Sequence, residues 1–115
     1  MSKYQRDKGA RFEREICNEI ESITGFPARR NLTQTRDGGY DIAFGKFRLE
    51  CKARKSLSVY AFIEQCEAAC SPSNVPVVIC KADRKEPLVL MRFKDALPLL
   101  AGELTEDDYA EAQNA

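Results

Sequence analysis

A two-residue turn fixes the register of the stretch YDIAFGKFRLECK, residues 40 to 52. Alternating apolar residues flank Gly45-Lys46, and glycine in the first loop position is typical of a type II′ β-turn. A loop of this length sets Phe44 opposite Phe47. The stretch therefore predicts a β-hairpin, with strands near residues 40–44 and 47–54.

The same register places two acids opposite each other. Asp41 should face Glu50, and side chains opposed in this way have Cβ atoms about 4.5–5.5 Å apart. Lys52 lies two residues beyond Glu50, so it projects from the same face. The other face is apolar and suits a core: Ile42, Phe44, Phe47, Leu49 and Cys51. Two neighbouring carboxylates cost free energy unless a cation or a proton lies between them.

Two interpretations of this charged face remain open. Carboxylate oxygens at such a separation can share one Mg²⁺, and a lysine beside them can orient a water or offset charge on a phosphate. Alternatively, Lys52 forms a cross-strand salt bridge on an exposed sheet, which explains one acid but not two.

The chain contains no histidine, and this excludes many hydrolytic sites. Serine–histidine and cysteine–histidine hydrolases, histidine-based nucleases and most catalytic zinc sites need that side chain. The five cysteines show no C-x-x-C spacing and are expected to be buried, reduced thiols: Cys17, Cys51, Cys66, Cys70 and Cys80. Hydrolysis here must depend on carboxylates, lysine and a hard metal ion.

The remaining pattern predicts an α/β domain with a mixed central β-sheet flanked by helices. A helix from Lys3 to Thr24 presents an apolar face and ends at Gly25. The other predicted elements are a strand at 28–32, a glycine-rich turn at 33–40, a helix at 58–71, strands at 76–80 and 87–93, and helices at 94–101 and 106–113.

Length and composition indicate one domain over residues 1–115, with a helical tail at 94–115. The 115 residues, of which 43% are hydrophobic and 31% charged, suit a compact fold. No apolar run approaches the roughly 20 residues of a membrane span, and the polar start is unlike a signal peptide. We therefore expect a cytoplasmic protein that does not bind membranes.

Charge is distributed unevenly although the total is zero. Residues 1–60 hold 13 Lys/Arg against 8 Asp/Glu, and residues 61–115 hold 5 against 10. The basic half includes Arg29-Arg30 and the cluster 52–55, and it also carries Lys8. This asymmetry predicts a face that binds a polyanion, although charge runs are more often solvated surface.

The order of these motifs resembles the PD-(D/E)xK nuclease superfamily. That superfamily has an aspartate at a strand, then Glu-x-Lys in the next strand, then a helix. Asp41, Glu50 and Lys52 follow this order, with Tyr40 at the position where proline is usual. KGARFERE, residues 8–15, is similar to the start of the archaeal-type Holliday junction resolvases. The glycine-rich turn and the strand PVVICK at 76–81 follow in the same order. The resemblance covers residues 8–93.

The resemblance implies a restriction-endonuclease-like fold and a metal-dependent endonuclease. Glu13, Asp41 and Glu50 would hold Mg²⁺, for which Mn²⁺ would substitute, and Lys52 would be the catalytic lysine. Gln65 would support the site.

The resemblance also implies a substrate and an assembly. Arg14 and Arg29 or Arg30 would contact the DNA backbone, and the basic residues Lys8, Arg54 and Lys55 join them as DNA-binding candidates. A homodimer would make paired nicks in a four-way junction and leave 5′-phosphate and 3′-hydroxyl ends. The apolar dimer candidate at 88–101 has an alternative reading as core: Leu88, Val89, Leu90, Met91, Leu97, Leu99 and Leu100.

Other functions fit the same residues. A different PD-(D/E)xK nuclease would act on nicks, flaps or single strands. A DNA-binding domain without catalysis would keep the acids only as salt-bridge partners, and a protein-interaction domain would not bind DNA at all. The charges on the first helix and on Arg29-Arg30 would then be ordinary surface.

Overall fold

The computed structural model describes residues 2–33 and 39–114. The central part of the predicted glycine-rich turn, residues 34–38, lies outside the described residues. Within the described ranges, no helix is both long enough and apolar enough to cross a membrane.

The first helix, α1, spans Lys3–Thr24, as predicted. Its start is fixed by a reciprocal pair of hydrogen bonds between Ser2 and Gln5, and its end by Gly25 at φ 75°. Only glycine adopts that left-handed conformation readily. On the apolar face predicted for α1, Phe12 and Ile16 are buried. Ile23, in the last turn and on the same face, is 74% exposed and lines a cleft with Ile79 and Val89 instead of entering the core.

Five strands form one mixed sheet in the order β1-β2-β3-β4-β5. Their bounds are Arg29–Arg30, Ile42–Phe44, Phe47–Arg54, Val75–Ala82 and Leu88–Leu90. β3 pairs with β2 antiparallel and with β4 parallel, and the two outer pairs are antiparallel. The predicted mixed α/β architecture is confirmed. The predicted strand at 87–93 is shorter because a helix begins at Phe93.

One helix covers each face of the sheet. α1 packs on a core that includes Ile42, Leu49 and Ile79. The second helix, α2 (Val59–Ala68), links the parallel strands β3 and β4 and packs on the opposite face, against Val78 and Cys80. Because successive strand residues alternate between faces, Glu50 and Lys52 fall on the α2 side.

The C-terminal helices α3 (Phe93–Gly102) and α4 (Glu106–Gln113) lie on the surface. No residue of either helix, all of which are described, is buried. Most of the residues proposed for a dimer surface are correspondingly exposed: Leu88 59%, Val89 67%, Leu97 44%, Leu99 43% and Leu100 63%. Their alternative reading as core is wrong for these five.

Candidate active site

The hairpin has the predicted register up to Ile42. Ile42 pairs with Leu49 and Phe44 with Phe47, and Gly45 has φ 57°, as the first position of a type II′ turn requires. Asp41 lies just outside β2. Its N–H donates to the Leu49 carbonyl at 2.9 Å.

The Asp41 side chain pairs with β3 where a backbone group of a longer β2 would otherwise do so. Its Oδ2 accepts a hydrogen bond from the Cys51 N–H at 2.7 Å. β3 continues three residues beyond Cys51, to Arg54, without a β2 partner. No described strand therefore pairs with the β2 side of β3 from Cys51 onward, and Asp41 lies where this unpaired segment begins.

Asp41, Glu50 and Lys52 are buried together, as predicted for one face of the hairpin. Their relative exposures are 7%, 5% and 7%. The Lys52 ammonium lies 3.5 Å from Glu50 Oε1. A buried cluster of one cation and two acids is not the exposed surface salt bridge of the alternative interpretation.

Glu50 has an unsatisfied oxygen. Its Oε2 is buried and has no hydrogen-bond partner within the described residues. Burial, and then the nearby charge of Asp41, raise the pKa of Glu50 to about 7, although Lys52 opposes the shift. An additional positive charge at this carboxylate would satisfy the free oxygen and favour the charged form.

Lys52 is held from the other side by an aromatic ring. Its ammonium lies 5.7 Å from the centre of the Phe62 ring, which is part of the buried face of α2. This contact attracts the cation through the ring quadrupole and keeps it directed toward Glu50. Sequence reasoning missed Phe62, whose only signal was its apolar position on α2.

Glu13 approaches the same region from α1. It is half-buried, and its Oε1 accepts a hydrogen bond from Arg30 Nε at 3.3 Å. Burial and then the charge of Asp41 raise the pKa of Glu13, while Arg30 and Arg14 lower it. Glu13 therefore lies within electrostatic range of Asp41.

The described residues contain no group of three or more His, Cys, Asp or Glu side chains arranged to hold a metal ion. The three expected metal ligands therefore lie near one another but do not form a three-ligand cluster: Glu13, Asp41 and Glu50. The donors themselves fit a hard divalent cation, because they are carboxylates and one buried oxygen is free.

The five thiols are free, as expected, but not all are buried. Cys51 and Cys70 are half-buried, which corrects the expectation for these two. Cys51 lies between Glu50 and Lys52 in sequence. Burial and the charges of Asp41, Glu13 and Glu50 raise the pKa of its thiol strongly.

The DNA-binding candidates fall into two groups. Lys8, Arg54 and Lys55 line one cleft beside the end of β3, described below. Arg30 contacts Glu13 at the site, whereas Arg29 is directed to Glu21, 2.7 Å away.

Arg14 and Gln65 are exposed. Arg14 acts on Glu13 only through its charge. Gln65 lies on the exposed part of α2, and no contact of the described residues ties it to the acids.

Residues 4–110 match the model of a family described as "Phage putative PDDEXK endonuclease". The chain belongs to this family. The match spans nearly all of its length, including residues after 93 for which the sequence offered no resemblance. No curated protein and no solved structure matches the chain. Membership confirms the PD-(D/E)xK superfamily and a nuclease, and it does not extend to the archaeal resolvases.

Proposed function

We propose that the protein is a divalent-metal-dependent DNA endonuclease whose active site is built on Asp41, Glu50 and Lys52. One observation carries this proposal: the buried Glu50 oxygen without a partner, beside Asp41 and a buried ammonium. Burying this cluster is unfavourable for folding, which is common where a site is arranged for chemistry. The family membership supports the same activity.

The residues suit an ion such as Mg²⁺, or Mn²⁺ in its place. Asp41 and Glu50 would hold it, with Glu13 joining from α1. When bound, such an ion supplies positive charge that polarises the scissile phosphate and the attacking water. Lys52, fixed between Glu50 and Phe62, is placed to donate a hydrogen bond to a phosphate oxygen as charge develops there. Arg30 holds Glu13 in position until DNA arrives.

Branched DNA is the substrate class that we propose, with four-way junctions as one member. The resolvase-like motif at residues 8–15 supports this choice. No described element resembles a base-reading helix, so selection by DNA shape is the natural mode. Cleavage would leave 5′-phosphate and 3′-hydroxyl ends.

The test compares wild type with Asp41→Asn on three labelled DNAs: a four-way junction, a flap and a linear duplex. Wild type should nick branched DNA with Mg²⁺ or Mn²⁺, and Asp41→Asn should bind it without cutting. Asp107→Asn, an equal change in the exposed helix α4, should cut like wild type.

The outcomes separate the candidates. Faster cutting of linear duplex would remove the branched-DNA assignment and leave another PD-(D/E)xK nuclease. Binding without cleavage under any metal condition would favour the non-catalytic DNA-binding domain.

We also propose a homodimer that uses the outer edge of β5. No strand of the described chain pairs with that edge, which exposes Leu88 and Val89, and Val89 also lines an apolar cleft of about 270 Å³. An edge strand that no described strand covers and that carries apolar side chains is suited to pairing with a second copy. Sedimentation should show a dimer for wild type and for Leu32→Lys, but a monomer for Val89→Lys. A wild-type monomer would refute this assembly.

We regard residues 1–115 as one nuclease domain that works in the cytoplasm. Five free cysteines support a reducing compartment, because exposed or half-buried thiols persist there without forming disulfides. Non-reducing mass spectrometry of the protein in its cell should find all five as thiols, and a native disulfide would contradict this placement.

A further inference from the structure

A cleft of about 440 Å³ lies between the start of α1 and the end of β3; we call it the terminal cleft. Its lining is polar and basic and includes one aromatic ring. The lining residues are Ser2, Tyr4, Gln5, Lys8, Gly9, Ala53, Arg54, Lys55 and Asp83.

The terminal cleft begins where the candidate active site ends. Ala53 and Arg54 directly follow Lys52 on β3, along the edge that β2 leaves open. Lys8 precedes Glu13 by five residues on α1, which is about 7.5 Å along the helix. The cleft residue Arg54 is thus only two residues, or about 7 Å along β3, from Lys52.

The charge of the cleft suits a nucleic-acid backbone. Three cations face one anion, Asp83, which lies 3.4 Å from the Lys8 ammonium. Lys55 forms no ion pair within the described residues and is exposed. Two positive charges thus remain uncompensated.

Tyr4 gives the cleft a surface for a base. Its side chain is 72% exposed although it lines the cleft, so the ring is not used for packing. Aromatic rings beside a basic groove hold unpaired bases by stacking. The cleft volume lies in the range of pockets that take one small molecule, of about 300–1,000 Å³, and so matches a single nucleotide.

We propose that the terminal cleft binds an unpaired nucleotide of the DNA strand beside the scissile phosphate. The base stacks on Tyr4, and Lys8, Arg54 and Lys55 contact the flanking phosphates. This inference rests on the proposed function, because it takes the active site to lie at Lys52. It narrows the substrate class to DNA with a single-stranded segment at the cut, such as a flap, an overhang or an opened branch point.

Binding without metal tests the cleft independently of cleavage. Fluorescence anisotropy in EDTA would compare a 12-nucleotide oligothymidine with a blunt 12-base-pair duplex. Tyr4→Ala should weaken binding of the single strand by about 5- to 100-fold, the loss of one stacked base, and change duplex binding less than about twofold. Tyr4→Phe should bind like wild type. Tyr109→Ala removes an equally exposed tyrosine from α4 and should have no effect.

Charge variants of the cleft should act in opposite directions. Lys55→Glu should weaken single-strand binding and reduce its salt slope by about 0.7, the value for one lost phosphate contact. Lys46→Glu, at the opposite end of β3, is the matched control. Asp83→Asn should tighten binding, because it frees Lys8 and removes the one anion among the described residues that line the cleft. A misfolded variant would not gain affinity.

The inference would be overturned if Tyr4→Ala bound both DNAs more weakly by the same factor, or if its affinity for the single strand were unchanged. So would an Asp83→Asn variant that binds no more tightly than wild type. If the variants changed single-strand binding as expected but the wild type cut no DNA in Mg²⁺, the binding role of the cleft would stand and the proposed nuclease activity would be refuted.

Discussion

Glu50 should make the metal-free protein less stable as pH rises. Burial and Asp41 raise its pKa from 4.5 to about 7, so the folded state holds this proton more tightly than the unfolded chain does. Below pH 4.5 both states are protonated and there is no penalty. Stability is lost as pH rises through 7, and above that the penalty is constant.

The magnitude follows from the same shift. At about 1.4 kcal/mol per pH unit, raising the pKa from 4.5 to about 7 corresponds to a full penalty of about 3 kcal/mol. Between pH 5 and 8.5 the integrated loss is about 2–3 kcal/mol, because part of the titration lies outside that window.

Urea unfolding in EDTA at pH 5 and 8.5 would measure this loss, with Glu50→Gln as the reference. The amide does not titrate, so pH-independent effects of the substitution cancel when each protein is compared with itself. Wild type should lose about 2–3 kcal/mol more than the variant over this range. Parallel pH profiles for the two proteins would refute the argument that Glu50 is strained by burial. Saturating Mg²⁺ at pH 8.5 should restore stability to wild type but not to Glu50→Gln.

Three further predictions concern the scaffold, each measured by urea unfolding. Ile42→Ala should lower the free energy of unfolding by about 2–5 kcal/mol and Ile42→Val by about 0.5–1.5 kcal/mol, because Ile42 is completely buried. Equal losses for the two variants would contradict its core position. Gly25→Ala should cost about 1–2 kcal/mol through its left-handed φ, whereas Gly9→Ala, within α1 and with open space around it, should stabilise by about 0.5–1 kcal/mol. The same sign for both glycines would be evidence against the helix bounds. Glu67→Gln, which removes the charge and one of the two oxygens that accept 2.9 Å hydrogen bonds from Arg92, should lower the free energy of unfolding by less than about 1 kcal/mol at pH 7 and not at all in acid. Arg92 lowers the pKa of Glu67, so this contribution disappears as pH falls, and a cost that persists in acid would contradict it.

The features that the sequence predicted best depend on local chemistry. Gly25 ends α1 at the expected residue because the left-handed cap favours glycine over every other residue. The Gly45-Lys46 turn fixes the hairpin register because a slip by one residue would move every apolar side chain to the wrong face. The helix predicted at 106–113 has the same bounds in the structure, where a capping box of Thr105 and Asp108 fixes its start.

What could not be predicted depends on which elements meet in space. Strand pairing arithmetic set Asp41 in β2, but its carboxylate instead binds the Cys51 N–H and ends the ladder one residue earlier. The contact of Phe62 with Lys52 requires knowing that α2 crosses that face of the sheet. The exposure of Ile23 likewise depends on how the end of α1 meets β4 and β5, with which it leaves a cleft.

The position of Cys51 limits how the protein can be inhibited or labelled. Burial, and then the charges of Asp41, Glu13 and Glu50, raise the pKa of this thiol and oppose formation of the thiolate, the form that reacts with electrophiles. Alkylating reagents should therefore spare the one cysteine adjacent to both Glu50 and Lys52. A covalent inhibitor aimed at this sulfur would be a poor choice, and iodoacetamide would report on more exposed thiols instead.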